Sequence, residues 1–142
     1  MARSANQKLK ILYLMKIFLE KTDSEHSLTL AEIMAELQKH DITAERKSLY
    51  NDIEALRDFG LDIIQTRSKT TGYYIGSRDF ETAELKLLVD SVQSSKFITH
   101  NKTLALIKKI ENLASVHDAH QLQRQIHGIK PCCKHKTAYK SV

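Results

Sequence analysis

The chain has 142 residues, 42% of them apolar and 27% charged. That is enough for one domain with a real core, or a small domain with a helical appendage, and it argues against wholesale disorder. No stretch of about 18 apolar residues occurs, so no membrane-spanning helix is expected. The basic start (Arg3, Lys8, Lys10) leads into an amphipathic stretch without a small-residue cleavage site, so no secretory leader is expected. The two cysteines, Cys132 and Cys133, are adjacent and form no disulfide framework, which points to a cytoplasmic protein. The net charge of +5 is unevenly placed. Residues 1–78 carry twelve basic against eleven acidic side chains, and residues 79–142 ten against six. Bulk charge is therefore a poor guide to partners, and local placement must decide.

In chain order, residues 6–20 have helical periodicity, with Leu9, Leu12, Tyr13, Lys16 and Ile17 on one face and Leu14, Met15, Phe18 and Leu19 broadening it. A polar loop follows over residues 21–27. Thr29-Leu30-Ala31-Glu32 is a capping box that starts a second helix with Leu30, Ile33, Met34 and Leu37 inward. It stops near His40. Thr43 is the expected N-cap of a third helix over residues 44–59, with Leu49, Ile53 and Leu56 inward, supported by Tyr50. Gly60 ends that helix in the left-handed conformation. Residues 61–66 and 73–75 have strand composition, joined by a polar tip over residues 67–72. A helix is expected over residues 80–95, another after the cap Thr99, and a short polar one over residues 118–126. No periodicity remains after Gly128, and that tail is expected to be flexible.

Helix, helix, helix and β-hairpin make a mainly α fold with a small β-hairpin, the winged helix-turn-helix, followed by a helical linker or dimerisation segment. The expected division is residues 1–78, residues 79–127 and a basic tail over residues 128–142. In this fold the third helix enters the DNA major groove and the hairpin touches the backbone beside it. The residues suit those roles. Arg46 and Lys47 can donate to guanine or phosphate, Asn51 can pair with adenine, and Thr43, Ser48 and Tyr50 can hold phosphates. Asp52, Glu54 and Asp58 occupy the second half of the helix, so DNA should meet the first half, at the positive end of the helix dipole. The wing spans residues 61–76, and its tip over residues 67–72 carries Arg67 and Lys69 and no acid, as a phosphate-touching wing requires. Lys8 and Lys10, with Arg3, are further candidates for backbone contacts.

Leu49-Tyr50-Asn51-Asp52-Ile53-Glu54-Ala55-Leu56 followed by Gly60-Leu61 resembles the recognition-helix signature of bacterial transcription regulators of the WYL-domain family. Gly72-Tyr73-Tyr74-Ile75 is similar to their second wing strand, and residues 80–115 to the helical segment behind it. The resemblance implies sequence-specific binding of double-stranded DNA. The β-rich WYL sensor domain of those proteins has no counterpart in these residues, so a small-molecule effector is not expected.

Two apolar stripes, Leu85, Leu88, Val89 and Val92, and Leu104, Ile107 and Ile110, exceed what a small winged domain needs and predict a homodimer. The alternative function is a winged-helix module that binds protein rather than DNA. Cys132, Cys133 and His135, with His117, His120 and His127 upstream, have metal-ligand chemistry but lack the spaced pairs of structural zinc sites, so no metal or other cofactor is expected. No glycine-rich phosphate loop or nucleophile motif is present, and an enzyme is not expected.

Overall fold

The computed structural model of the chain describes residues 7–67 and 69–128, with side chains over residues 8–67 and 69–124. Its first helix, α1 (Gln7–Lys21), is apolar on almost every side, and packing selects which side turns inward. Leu14, Ile17 and Phe18 are buried, whereas Leu9 and Leu12 are exposed. The inward stripe is thus rotated from the one expected from Leu9 and Leu12. It takes in Lys10, one turn before Leu14, which is 5% exposed.

The loop after α1 contains a strand of two residues, β1 (Leu28–Thr29), that sequence reading missed. Thr29 also caps α2 (Leu30–Gln38). Its hydroxyl accepts from the Glu32 amide at 3.4 Å, and the Glu32 carboxylate accepts from the Thr29 amide at 2.7 Å. The expected capping box is therefore present. Ile33 and Leu37 of α2 are fully buried.

The turn to the third helix is longer than expected, spanning residues 39–45. Asp41 adopts a left-handed φ of 57°, and the Ile42 amide returns to the Leu37 carbonyl at 3.2 Å. Burial of Ile42 holds the following residues extended, so that α3 (Arg46–Phe59) begins two residues later than expected. Its N-cap position is Glu45, without a side-chain cap bond, and not Thr43, which is exposed in the turn. Leu49, Ile53 and Leu56 face the core as expected, while Tyr50 is 47% exposed and does not. Gly60 ends α3 at φ 114°.

Strands β2 (Ile63–Arg67) and β3 (Thr71–Ile75) form the hairpin, with Arg67 opposite Thr71 and Ile63 opposite Ile75. β1 pairs antiparallel with the other edge of β3, giving the order β1-β3-β2. Gly72 permits this approach: a Cβ there would lie 2.5 Å from Ser27 Oγ. Eleven buried side chains from α1, α2, α3 and the hairpin, together with Ile42 of the turn, form the main core. Burying each large one contributes roughly 1.5–3 kcal/mol.

Three further helices follow, α4 (Thr82–Ser94), α5 (His100–Glu111) and α6 (Val116–Gly128). Glu81 and Glu84 form a second capping box at α4. Thr99 holds the N-cap position of α5 but makes no side-chain cap bond. α6 is longer than the expected residues 118–126, because Ser115 Oγ accepts from the Asp118 amide at 3.1 Å and starts the helix earlier. Leu85, Ala114 and Leu122 form a second, smaller core. The protein is mainly helical with a small antiparallel sheet, a winged helix-turn-helix followed by a helical segment. No described helix is long and apolar enough to cross a membrane. Arg3 and the tail residues Cys132, Cys133 and His135 lie outside the described residues.

Candidate nucleic-acid interface

Helix α3 presents three sides besides its core face. Towards α1, Ser48 and Asp52 meet Lys10: the ammonium donates to Ser48 Oγ and pairs with Asp52 Oδ2 at 2.7 Å. Asp52 Oδ2 receives no directed hydrogen bond, so its link to Lys10 is ionic. Towards the hairpin, Arg57 Nε donates to the Ile63 carbonyl at 2.9 Å. Tyr50 and Tyr73 are hydrogen-bonded through their side chains. Burial, then the neighbouring Tyr50, raise the Tyr73 hydroxyl above its ordinary value, so it stays a neutral donor. Between these sides lies an outward stripe at helical spacing, Lys47, Asn51, Glu54 and Asp58, all exposed.

The expected DNA-contacting residues therefore separate into two groups. Arg46, Lys47 and Asn51 are exposed on the first half of α3, and Arg67 and Lys69 are exposed at the hairpin tip. Ser48 is half-buried and engaged by Lys10, and Tyr50 has its hydroxyl engaged with Tyr73. Thr43 lies beside the start of α3, in a shallow cleft with Lys10, Ala44, Glu45 and Ser48. Lys10 is a correction. Packed beneath α3 and paired with Asp52, it is unavailable to a ligand, whereas Lys8 is exposed.

Ion pairing draws the same division. Among the described residues up to 78, Lys10, Lys16, Lys21, Lys39 and Arg57 each pair with a carboxylate. Lys8, Arg46, Lys47, Arg67 and Lys69 pair with none, and neither does Arg78, whose guanidinium donates to the Thr22 carbonyl instead. Two of the three acids in the second half of α3 are offset from within, Asp52 by Lys10 and Glu54 by Arg57.

The residues expected at a dimer interface also divide. Leu85, Val89 and Ile107 are buried inside this chain, where α4 and α5 pack on each other. They cannot form an external face. Val92 and Ile110 are half-buried, and Ile110 packs on the second core. Leu88 and Leu104 remain exposed, joined by Leu87, Leu106 and a fully exposed Phe97.

Of the histidines considered as metal ligands, His120 is exposed, the His127 side chain lies outside the described residues, and His117 has other partners. His117 stacks on His26 and gathers with Asp23, residues far apart in sequence that no local spacing signals. No protein-family model, no curated protein and no solved structure matches the chain.

Proposed function

We propose that the protein is a sequence-specific, double-stranded-DNA-binding transcription regulator. The observation that carries this reading is the coincidence of fold and charge: the cations left without carboxylate partners in the winged domain include two at the start of α3 and two at the tip of the hairpin. These are the two places a winged helix-turn-helix offers to a major groove and its flanking phosphates. In this reading Lys47 and Asn51 meet base edges, Arg46 meets an edge or phosphate on the hairpin side, and Arg67 and Lys69 meet phosphates. Ser48, Tyr50 and Lys10 set the angle of the helix instead.

The kinship proposed with WYL-domain regulators stands on the motif residues of α3, the wing strand and the helices behind it. A cytoplasmic location belongs to the same reading. So does a homodimer, now through Leu88, Leu104 and their exposed neighbours Leu87 and Leu106 rather than through the buried residues between them. Two copies would place their α3 helices in successive major grooves about 34–36 Å apart. Selection of bound fragments from a randomised duplex pool tests the function. Enrichment of a motif with two half-sites supports it, and recovery of unenriched sequence contradicts it.

A further inference from the structure

The loop between α1 and β1 carries a cluster that the DNA reading does not use. Asp23 Oδ1 accepts from the amides of Glu25 at 3.0 Å and His26 at 2.8 Å and lies 2.7 Å from His26 Nδ1. Asp23 Oδ2 accepts from Ser115 Oγ at 2.8 Å. Ser115 caps α6, and two residues later His117 lays its ring on that of His26, with centroids 3.7 Å apart and planes 7° from parallel. One carboxylate oxygen of Asp23 and one ring nitrogen from each histidine all lie within 4.8 Å of one another.

These donors have the chemistry of a metal site. Burial alone would raise the Asp23 carboxyl. The hydrogen bonds from His26, Ser115 and the two amides outweigh burial and hold it below the usual carboxylate range, so it is an anion at neutral pH. Those bonds also fix the carboxylate before any ion arrives. The His26 side chain is 44% exposed, which leaves a way in from solvent.

We propose that Asp23, His26 and His117 form a binding site for a divalent transition metal of the zinc type, completed by water. Bonds of about 2.0–2.1 Å place tetrahedral donors about 3.3 Å apart, so the set must contract on binding. The exposed His26 ring can swing out of the stack to allow this. Arg78, near Asp23 and Asp118, and the N-terminal end of α6 are both positive and oppose a cation. An open, exchangeable site fits this balance better than a closed structural centre.

The location gives the site a consequence. Thr22, beside Asp23, is tied to the sheet by the Ile75 amide at 3.1 Å and by Arg78 Nη2 on its carbonyl. His117 belongs to the helical segment. A bound ion would therefore clamp α6 to the winged domain, reinforcing the Asp23–Ser115 bond that links residues 92 apart. This inference does not depend on DNA binding.

Titration of the full chain with cobalt(II) tests it, in a Cys132→Ser/Cys133→Ser background that removes thiolate ligands from the tail. A visible ligand-field band saturating at one equivalent is expected, with zinc displacing the cobalt. His26→Gln and His117→Gln should each weaken binding by at least about tenfold, the scale of losing even a supporting group. A band that vanishes with the cysteines, or that is unchanged in both histidine variants, overturns the site. Imidazole nitrogen spectra of the wild-type protein are independent of how the variants fold. Zinc should shift His26 and His117 and leave His40 and His100 in place; the reverse pattern, or no shift, contradicts the proposal.

Discussion

Lys10 Nζ of α1 and Asp52 Oδ2 of α3 lie 2.7 Å apart, with side chains only 7% and 19% exposed. The pair fixes how α3 sits on α1 and offsets a negative charge on the helix proposed to meet DNA. Lys10→Met keeps the apolar stem but leaves Asp52 shielded and unpaired. Such a loss costs about 1–3 kcal/mol. The urea midpoint should fall at unchanged slope, and Lys10→Met/Asp52→Asn should recover part of the loss. If the single variant unfolds with the wild type, the pair contributes nothing.

Gly72 should be intolerant for a reason that a second change can relieve. A Cβ at this position meets Ser27 Oγ at 2.5 Å and Ser27 Cβ at 2.9 Å, where the loop before β1 closes on β3. Gly72→Ala should lower the thermal midpoint, and adding Ser27→Gly should restore most of it. Equal midpoints for Gly72→Ala with and without Ser27→Gly would place the strain elsewhere.

Glu36 of α2 pairs with Lys21 of α1 and Lys39, both at 2.7 Å. The hydrogen bond from Lys21, then that from Lys39, hold its carboxyl below the ordinary 4.5. A depressed folded value contributes stability that is present above the unfolded value and lost as pH falls through the folded one. Unfolding free energy followed below pH 4.5 should decline less steeply in Glu36→Gln than in the wild type. Parallel acid limbs would show that the pair has no effect on folding.

The proposed dimer surface is testable because the structure separates exposed from buried leucines. Leu88→Asp and Leu104→Asp, at exposed positions, should leave the helical content intact and shift sedimentation towards the 16.3 kDa subunit. Ile107→Asp places a charge at a 4% exposed position and should instead disrupt the helical segment. A wild-type mass of 16.3 kDa, with or without duplex DNA, would rule out the dimer.

Elements with strong local signals were legible in the residues. The Thr29–Glu32 capping box, the left-handed Gly60 and the strand composition of residues 73–75 each state their structure over a few positions. Long-range terms decided the rest. α1 has apolar residues on nearly every side, so its buried face follows from what packs on it, and Lys10 becomes an internal partner. β1 is two residues long and exists only because β3 pairs with it. The start of α3 depends on burial of Ile42, which outweighs the capping preference of Thr43. Arg46, Lys47, Asn51, Arg67 and Lys69 were visible as candidate DNA-binding residues because exposed polar residues keep their chemistry wherever the chain turns. The Asp23–His26–His117 cluster was not, since it joins a loop to a helix distant in sequence.

The central claim meets its most direct test in salt-dependent binding to a duplex obtained by selection, measured by fluorescence anisotropy for three forms of the full chain. The wild type should bind the selected duplex more tightly than a scrambled one, with affinity falling linearly as salt rises on logarithmic axes. Lys47→Ala/Asn51→Ala should weaken binding by about 1–3 kcal/mol for each base edge no longer read and abolish the preference between duplexes. Arg67→Ala/Lys69→Ala should weaken both duplexes alike and reduce the salt slope by about one for each phosphate no longer neutralised. Binding that is absent, independent of salt, or unchanged in both double variants would contradict the assignment of this fold to DNA.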